Sequence, residues 1–339
     1  MTQTATKPAA SPSSQEQVMG IVIGVVQGRC LVAAAELGLA DALANGPLHV
    51  DAIAAETKAD AGNVFRLMRA LETLGVFQQV SPRVFANTPV SDCLRSDVPG
   101  SQRAFLQLVS PGLGMWDGYT EMLATLRTGK TAIFERWGHD IWEHLRQDPA
   151  RSAIFNESMR SMTAPMTPAV TAAYDWSRFH VIADIAGGIG TQLVDILDAN
   201  PDCCGVIFDQ PNVVSTAIEH ERVKPVAGNF FEEIPVDADA YILRNIIHDW
   251  NDEQALSILK TLRRTTKPVA RVMLIEWLIP ETSEFNFGKW TDITMMTSVG
   301  GRERTKTEFE KLFNDAGFKL EEIVPTASSF SIIVGRPSA

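Results

Sequence analysis

Apolar and polar positions follow one periodicity before about residue 175 and another after it. From Gln17 to Leu43 the chain is rich in Val, Ile, Ala and Leu, and between Val18 and Ala35 the apolar residues run almost all the way round a helix. Such a helix needs burial, in a core or against a second copy of the chain. Leu48–Asn87 has a helix-turn-helix cadence. Asp51 is placed to cap a short helix to Glu56, a polar break falls at Lys58-Ala59-Asp60, and Ala61–Leu74 carries Val64, Leu67, Met68, Leu71 and Leu74 at helical spacing. Gly75 stops that helix, and two β-like runs, Val76–Val80 and Val84–Ala86, complete a winged-helix pattern. Ser101–Tyr174 is helical and rich in Met, Phe and Trp, with Phe155, Met159, Met162 and Met166 on one stripe. A stripe of this kind suits a core, yet methionine also makes adaptable walls for flat ligands. Met115 and Trp116 are open to the same two readings.

Beyond residue 175 short apolar runs alternate with helical ones. Strands are expected at Val181–Ala183, up to Phe208-Asp209, and at Val223–Gly228, Ala240–Arg244, Arg271–Trp277, Phe318–Ile323 and Phe330–Val334. Helices are expected after the glycine turn, after Asn251, which with Gln254 resembles a capping box, and over Thr305–Ala316. Alternating β and α predicts an α/β fold with a parallel, doubly wound sheet. The close spacing of the last two strands predicts one antiparallel member.

In an α/β sheet, ligands bind at the carboxyl ends of the strands. Asp184, Asp209, Asn229, Arg244–His248 and Glu276 all fall there. Asp184 is followed by Gly187, Gly188 and Gly190, a helix, a second strand and Asp209, nineteen residues after Gly190. This is the front half of a nucleotide-binding βαβ unit, with Asp209 placed for a ribose. The dinucleotide fingerprint fits badly, because Leu193 stands where a third glycine belongs. A carboxylate at Asp184 suits a cationic ligand, and S-adenosylmethionine carries both an ammonium and a sulfonium. His248 lies among Asp249, Asp252 and Glu253, Glu276 ends a neighbouring strand, and Glu303 lies in a turn before the last helix. An imidazole with a carboxylate on its other nitrogen is a general-base arrangement; a capping histidine among solvated acids is the alternative.

Composition narrows the field further. The 339 residues are 45% hydrophobic, enough for two cored domains, and net charge is −11. Leu48–Arg95 holds five basic and five acidic residues. A neutral winged helix lacks the phosphate-neutralising charge that dominates DNA affinity, so no nucleic-acid partner is expected. Cys30, Cys93, Cys203 and Cys204 have no metal-ligand spacing and read as reduced thiols in a cytoplasmic protein, with no metal expected. His139 and His144 have no ligand partners in sequence. The polar N-terminus lacks the apolar core of a secretory signal and reads as a disordered tail. No apolar run is expected to reach membrane-spanning length, and no membrane partner is expected.

The segments GNFFEEIP, AYILRNIIHDWNDEQALSILK, LIEWLIPE and GGRERTKTEFEKLFNDAGF together resemble the S-adenosylmethionine-dependent O-methyltransferases of the plant caffeic-acid type and their bacterial relatives acting on secondary metabolites. The resemblance covers essentially the whole chain after the tail. It implies a tail over 1–15, a mainly α winged-helix dimerisation domain over 16–100, a helical linker and substrate-pocket segment over 101–175, and a Rossmann-like catalytic domain over 176–339. The implied activity is methyl transfer to a hydroxyl, phenolic by preference, of a small aromatic or polyketide-like molecule by a homodimer. His248 is the implied base, flanked by Glu276 and Glu303. Asp184, Gly187, Gly188, Gly190, Asp209, Gln210, Asn229, Phe230, Arg244 and Trp250 are the implied cofactor contacts. Met115, Trp116, Phe155, Met159, Met162, Asp249 and Met295 are the implied substrate contacts. The family loop D-V-G-G-G-T-G reads here with Ala186 and Ile189, and Asn229 stands where an Asp is common. Transfer to nitrogen or sulfur, a non-methylating reaction on the same fold, and a winged-helix regulator remain as alternatives.

Overall fold

The computed structural model describes residues 12–338, which form two compact units divided between Val109 and Ser110. Most of the expected tail lies outside the described residues.

The first unit opens with the helix Ser14–Leu37, started by a Ser13/Glu16 capping box and stopped by Gly38 at φ +70°. Leu39–Ala42 follows this Gly-Leu break as a separate turn. Only the C-terminal part of the long helix is buried, at Val32, Ala34 and Ala35, while Val18–Val26 is exposed and Ile21 is 78% accessible. This helix also corrects the expectation about membrane-spanning runs, since it is long and apolar enough by length and composition, with mean hydropathy 1.9. The short helix Val50–Glu56 is capped by His49, not Asp51; the His49 ring accepts from Asp51 N, and the Asp51 carboxylate pairs with Arg83. Asp60 caps Ala61–Glu72, whose Val64, Met68 and Leu71 enter the core. Leu74 falls beyond the end of that helix and stays exposed. Strands β1 (Leu48–His49), β2 (Phe77–Ser81) and β3 (Val84–Asn87) pair antiparallel in the order β1-β3-β2. The exposed Arg69 and Arg83 guanidiniums lie over the Phe65 ring. Arg103–Leu108, the first helix of the Met-rich segment, belongs to this unit.

The second unit is an eight-stranded sheet with helices on both faces. Its strands are β4 (Val181–Ile185), β5 (Cys204–Asp209), β6 (Val223–Ala227), β7 (Ala240–Arg244), β8 (Arg271–Ile279), β9 (Arg304–Thr305), β10 (Phe318–Pro325) and β11 (Phe330–Pro337). The order is β10-β11-β8-β7-β4-β5-β6, with β9 joined to β8. Every pairing is parallel except those of β11, the one antiparallel member, with β8 and β10. Both faces of β4, β7 and β8 are covered, so apolar residues run consecutively along them instead of alternating with polar ones, up to the site residues Asp184, Arg244 and Glu276. Sheet order reverses beside β4, and polar residues at the carboxyl ends of β4, β5, β7 and β8 gather at that edge.

Candidate active site

Two groups of polar residues converge at this edge. The first surrounds the glycine turn after β4. A Cβ on Gly187 would lie 2.5 Å from Asp184 Cγ, and one on Gly190 would lie 2.3 Å from Ile207 Cδ1. What packs beneath the turn already demands glycine at these two positions, and Gly190 also adopts φ +87°. Gly188 differs, with φ +61° and open space where its Cβ would point. Asp209 is tied into the turn, accepting from Gly188 N at 2.9 Å and Gln210 N at 2.6 Å. Asp184 is buried, and burial pushes its carboxyl up to about 7 against the pull of Arg244. Burial likewise raises Asp209. Two poorly solvated carboxylates at one turn favour a ligand carrying positive charge.

Ala186 adopts φ +56°, a conformation that disfavours a Cβ. Glycine there relieves about 1–2 kcal/mol of strain and loses about 0.4–1 kcal/mol to chain entropy. Ala186→Gly is expected to raise Tm by about 1–3 °C in a thermal melt.

Arg244, expected at the methionine end of the cofactor, is largely turned to protein groups. Its Nη1 donates to Thr167 Oγ1 at 2.8 Å and Gln192 Oε1 at 2.9 Å, and its Nη2 to Thr163 O at 2.7 Å. What it offers beside Asp184 is charge, and burial lowers its pKa to about 10. Asn229 is exposed; its carbonyl accepts from Phe231 N and its amide donates to Glu232, an Asx turn that leaves one lone pair free. Phe230 and Phe231 meet Trp250 edge-on, and Trp250 stacks with Trp142, which sequence reasoning had not singled out.

The second group is centred on His248, nearly buried on the turn Ile247–Asp249 after β7. Its Nδ1 is 2.9 Å from Glu303 Oε1 and 3.9 Å from Glu276 Oε2, and its Nε2 is 3.4 Å from Asp249 Oδ1. A carboxylate only accepts, so Nδ1 carries the proton and the lone pair of the neutral ring sits on Nε2. Burial pulls the imidazolium pKa down, but Glu303, Asp249 and Glu276 outweigh it and hold it near about 10. Burial raises Glu276 to about 7 and Asp249 to about 6, because one imidazolium does not neutralise three buried carboxylates. Glu276 has a second task, accepting from Ile246 N at 3.2 Å and Ile247 N at 2.9 Å. Asp292, behind Glu303, accepts from its backbone N–H.

The Met stripe is not the buried face of its helix, Pro149–Thr163. Ser158 and Ser161 are buried there, while Phe155, Met159 and Met162 are half-buried. Phe155 packs on Trp142 and on the Ile133–Ile141–Leu145 cluster. Met115, Trp116 and Met295 are half-buried, Met295 opening a π-helical turn that ends at Gly300. His144 stacks on Trp137 at 3.7 Å, a packing role.

Residues 119–319 match the model of the O-methyltransferase domain, and residues 19–97 match the O-methyltransferase dimerisation domain. The chain belongs to the O-methyltransferase family. The long exposed helix falls in the dimerisation match. Phenazine O-methyltransferase PhzM of Lysobacter antibioticus is 36% identical over 327 residues, covering 94% of this chain and 95% of that protein. The crystal structure of LaPhzM superposes with a TM-score of 0.92 at 34% identity, over 96% of this chain and 100% of the other. The O-methyltransferase NcsB1 from neocarzinostatin biosynthesis, solved with S-adenosylmethionine and 2-hydroxy-5-methyl naphthoic acid, gives a TM-score of 0.82 at 29% identity, over 97% and 100%. This chain is accordingly an S-adenosylmethionine-dependent O-methyltransferase of the secondary-metabolite type. The acidic, largely desolvated turn formed by Asp184, Gly188 and Asp209 fits that cofactor.

Proposed function

We propose that this O-methyltransferase methylates a phenolic hydroxyl on a small fused-ring aromatic, with His248 as general base. The observation that carries the reading is the Glu303–His248 pair, which fixes the tautomer and leaves Nε2 to take a proton. Asp184, Gly188 and Asp209 would hold the cofactor, with Phe230 and Trp250 as apolar walls. When bound, S-adenosylmethionine supplies a methyl group activated on a sulfonium. His248 Nε2 accepts the hydroxyl proton, and Glu303 stabilises the imidazolium that forms. A phenol ionises near pH 10, and the carboxylates around His248 raise the proton affinity of its ring towards what that transfer needs. An aliphatic hydroxyl is a far weaker acid than a phenol, so the same step is harder for it. Met115, Trp116, Met159, Met162, Met295 and Asp249 are proposed to face the acceptor.

The direct test is incubation with S-adenosylmethionine and a panel of hydroxylated naphthoates and tricyclic phenols, starting from 1,4-dihydroxy-2-naphthoic acid, a ligand found in NcsB1. A product 14 Da heavier that carries an aryl methyl ether supports the reading. Methylation confined to amines or thiols in a parallel panel overturns it.

The pH dependence has a definite sign. The base works deprotonated, so kcat/KM should rise with pH through the alkaline range as His248, near about 10, loses its proton. Glu303→Gln removes the first carboxylate acting on the ring, leaving Asp249 and Glu276 with Asp292 further back. The rising limb should move to lower pH, and a limb that stays in place would detach it from His248.

A further inference from the structure

The motif Gly300–Thr305 contributes more than Glu303. Four consecutive residues of it, Gly301 to Arg304, meet the turn that carries His248, three of them at its backbone. Gly301 lies so close that a Cβ would stand 2.0 Å from His248 O and 2.4 Å from Asp249 C. Arg302 N donates to His248 O at 2.8 Å. Glu303 reaches the imidazole itself. Arg304, 1% exposed, donates through Nη1 to Ile247 O at 3.0 Å and through Nη2 to Trp250 O at 2.9 Å. Its Nε and Nη2 also donate to Asp252 Oδ1, at 3.0 and 2.8 Å. The planar fork thus spans both sides of the histidine, while Asp252 balances its charge. From the other side, Glu276 receives Ile246 N and Ile247 N. The amide end of the turn is held by Glu276 on β8 and the carbonyl end by Arg304 on β9, and β8 and β9 are paired at Leu278 and Arg304.

We propose that Arg304 is a positioning residue: it holds the Ile247–Trp250 turn so that His248 Nδ1 meets Glu303 and Nε2 faces the acceptor. This rests on reading His248 as the base. Arg304 touches neither reacting partner and acts only through the histidine. Lysine keeps the charge but presents a single ammonium in place of a fork, so it does not hold Ile247 O, Trp250 O and Asp252 together.

The test uses Arg304→Lys in the full-length protein, alone and combined with His248→Gln. With the best acceptor of the phenol panel, Arg304→Lys should lower kcat by about 10–100-fold, the range expected when a reacting group is displaced by about 1 Å. KM for S-adenosylmethionine and S-adenosylhomocysteine binding should stay within about threefold. In the His248→Gln background the same change should cost nothing further, because the group it positions is gone. Independently of any acceptor, an NMR titration of the His248 ring should show its pKa falling in Arg304→Lys as contact with Glu303 loosens. Equal losses with and without His248, or an unmoved ring titration, would overturn the proposal and leave the base intact. Full kcat in His248→Gln alone would instead remove the base, and this proposal with it. If Arg304→Lys does not fold, Asp252→Asn frees one side of the fork from a solvent-exposed position. It should give a smaller kcat loss that also vanishes without His248; a loss that persists there counts against Arg304.

Discussion

His248→Gln is expected to lower kcat by about 10²–10⁴-fold, the usual contribution of a positioned general base. S-adenosylhomocysteine affinity, measured by calorimetry, should change by less than about threefold. The separation follows from where the groups lie. The candidate cofactor residues Asp184, Gly188 and Asp209 belong to β4, β5 and the turn between them, whereas His248 follows β7 and faces Glu303, Glu276 and Asp249. Removing the imidazolium leaves three carboxylates in a buried space. Glu276 and Asp249 already titrate near about 7 and 6, so the cluster can relax by taking up protons instead of unfolding. Parallel loss of turnover and cofactor binding would sink the assignment of His248 as base, since a base contributes nothing to binding the donor.

The double substitution Ile21→Glu and Val25→Glu should convert a dimer to a monomer, seen by light scattering across a concentration series. Both residues lie in the matched dimerisation domain, on the stretch of the first helix that its own unit leaves uncovered, at 78% and 57% exposure. Each apolar side chain buried in a dimer contributes about 1.5–3 kcal/mol. Losing two from each protomer, four in all, weakens association by at least about 10⁴-fold before any charge burial. The folded unit should survive, because its core is built from Ala34, Leu39, Ile53, Met68 and their neighbours. An unchanged dimer would mean that this face is covered in some other way.

Much of this protein was legible in one dimension. Strand positions and the parallel sheet with one antiparallel member follow from apolar periodicity, and the candidate base with its acids from the resemblance carried by the motifs around His248, Glu276 and Glu303. Those signals are local, because a strand buried on both faces must be apolar throughout and a ligand group at its end must follow it directly. Chain-long apolarity likewise pointed to a first helix in need of a partner. Where local signals competed, the structure added partners that the sequence does not show. Asp51 reads as a cap, yet His49 reaches the amide and Asp51 turns to Arg83. Gly187 and Gly190 read as making room for a ligand, yet Asp184 and Ile207 fill the space beneath them. Arg244 reads as a cofactor contact, yet most of its donors serve Thr163, Thr167 and Gln192. Sequence alone established the fold class, the family and the residue types of the site. Tertiary structure alone decided which acid meets which nitrogen of His248, which glycine faces open space, and that Arg304 binds the backbone of the turn that carries His248. The physical reason is that a charge, a hydrogen bond and a buried guanidinium act over a few ångströms, between residues that lie some fifty positions apart in the chain.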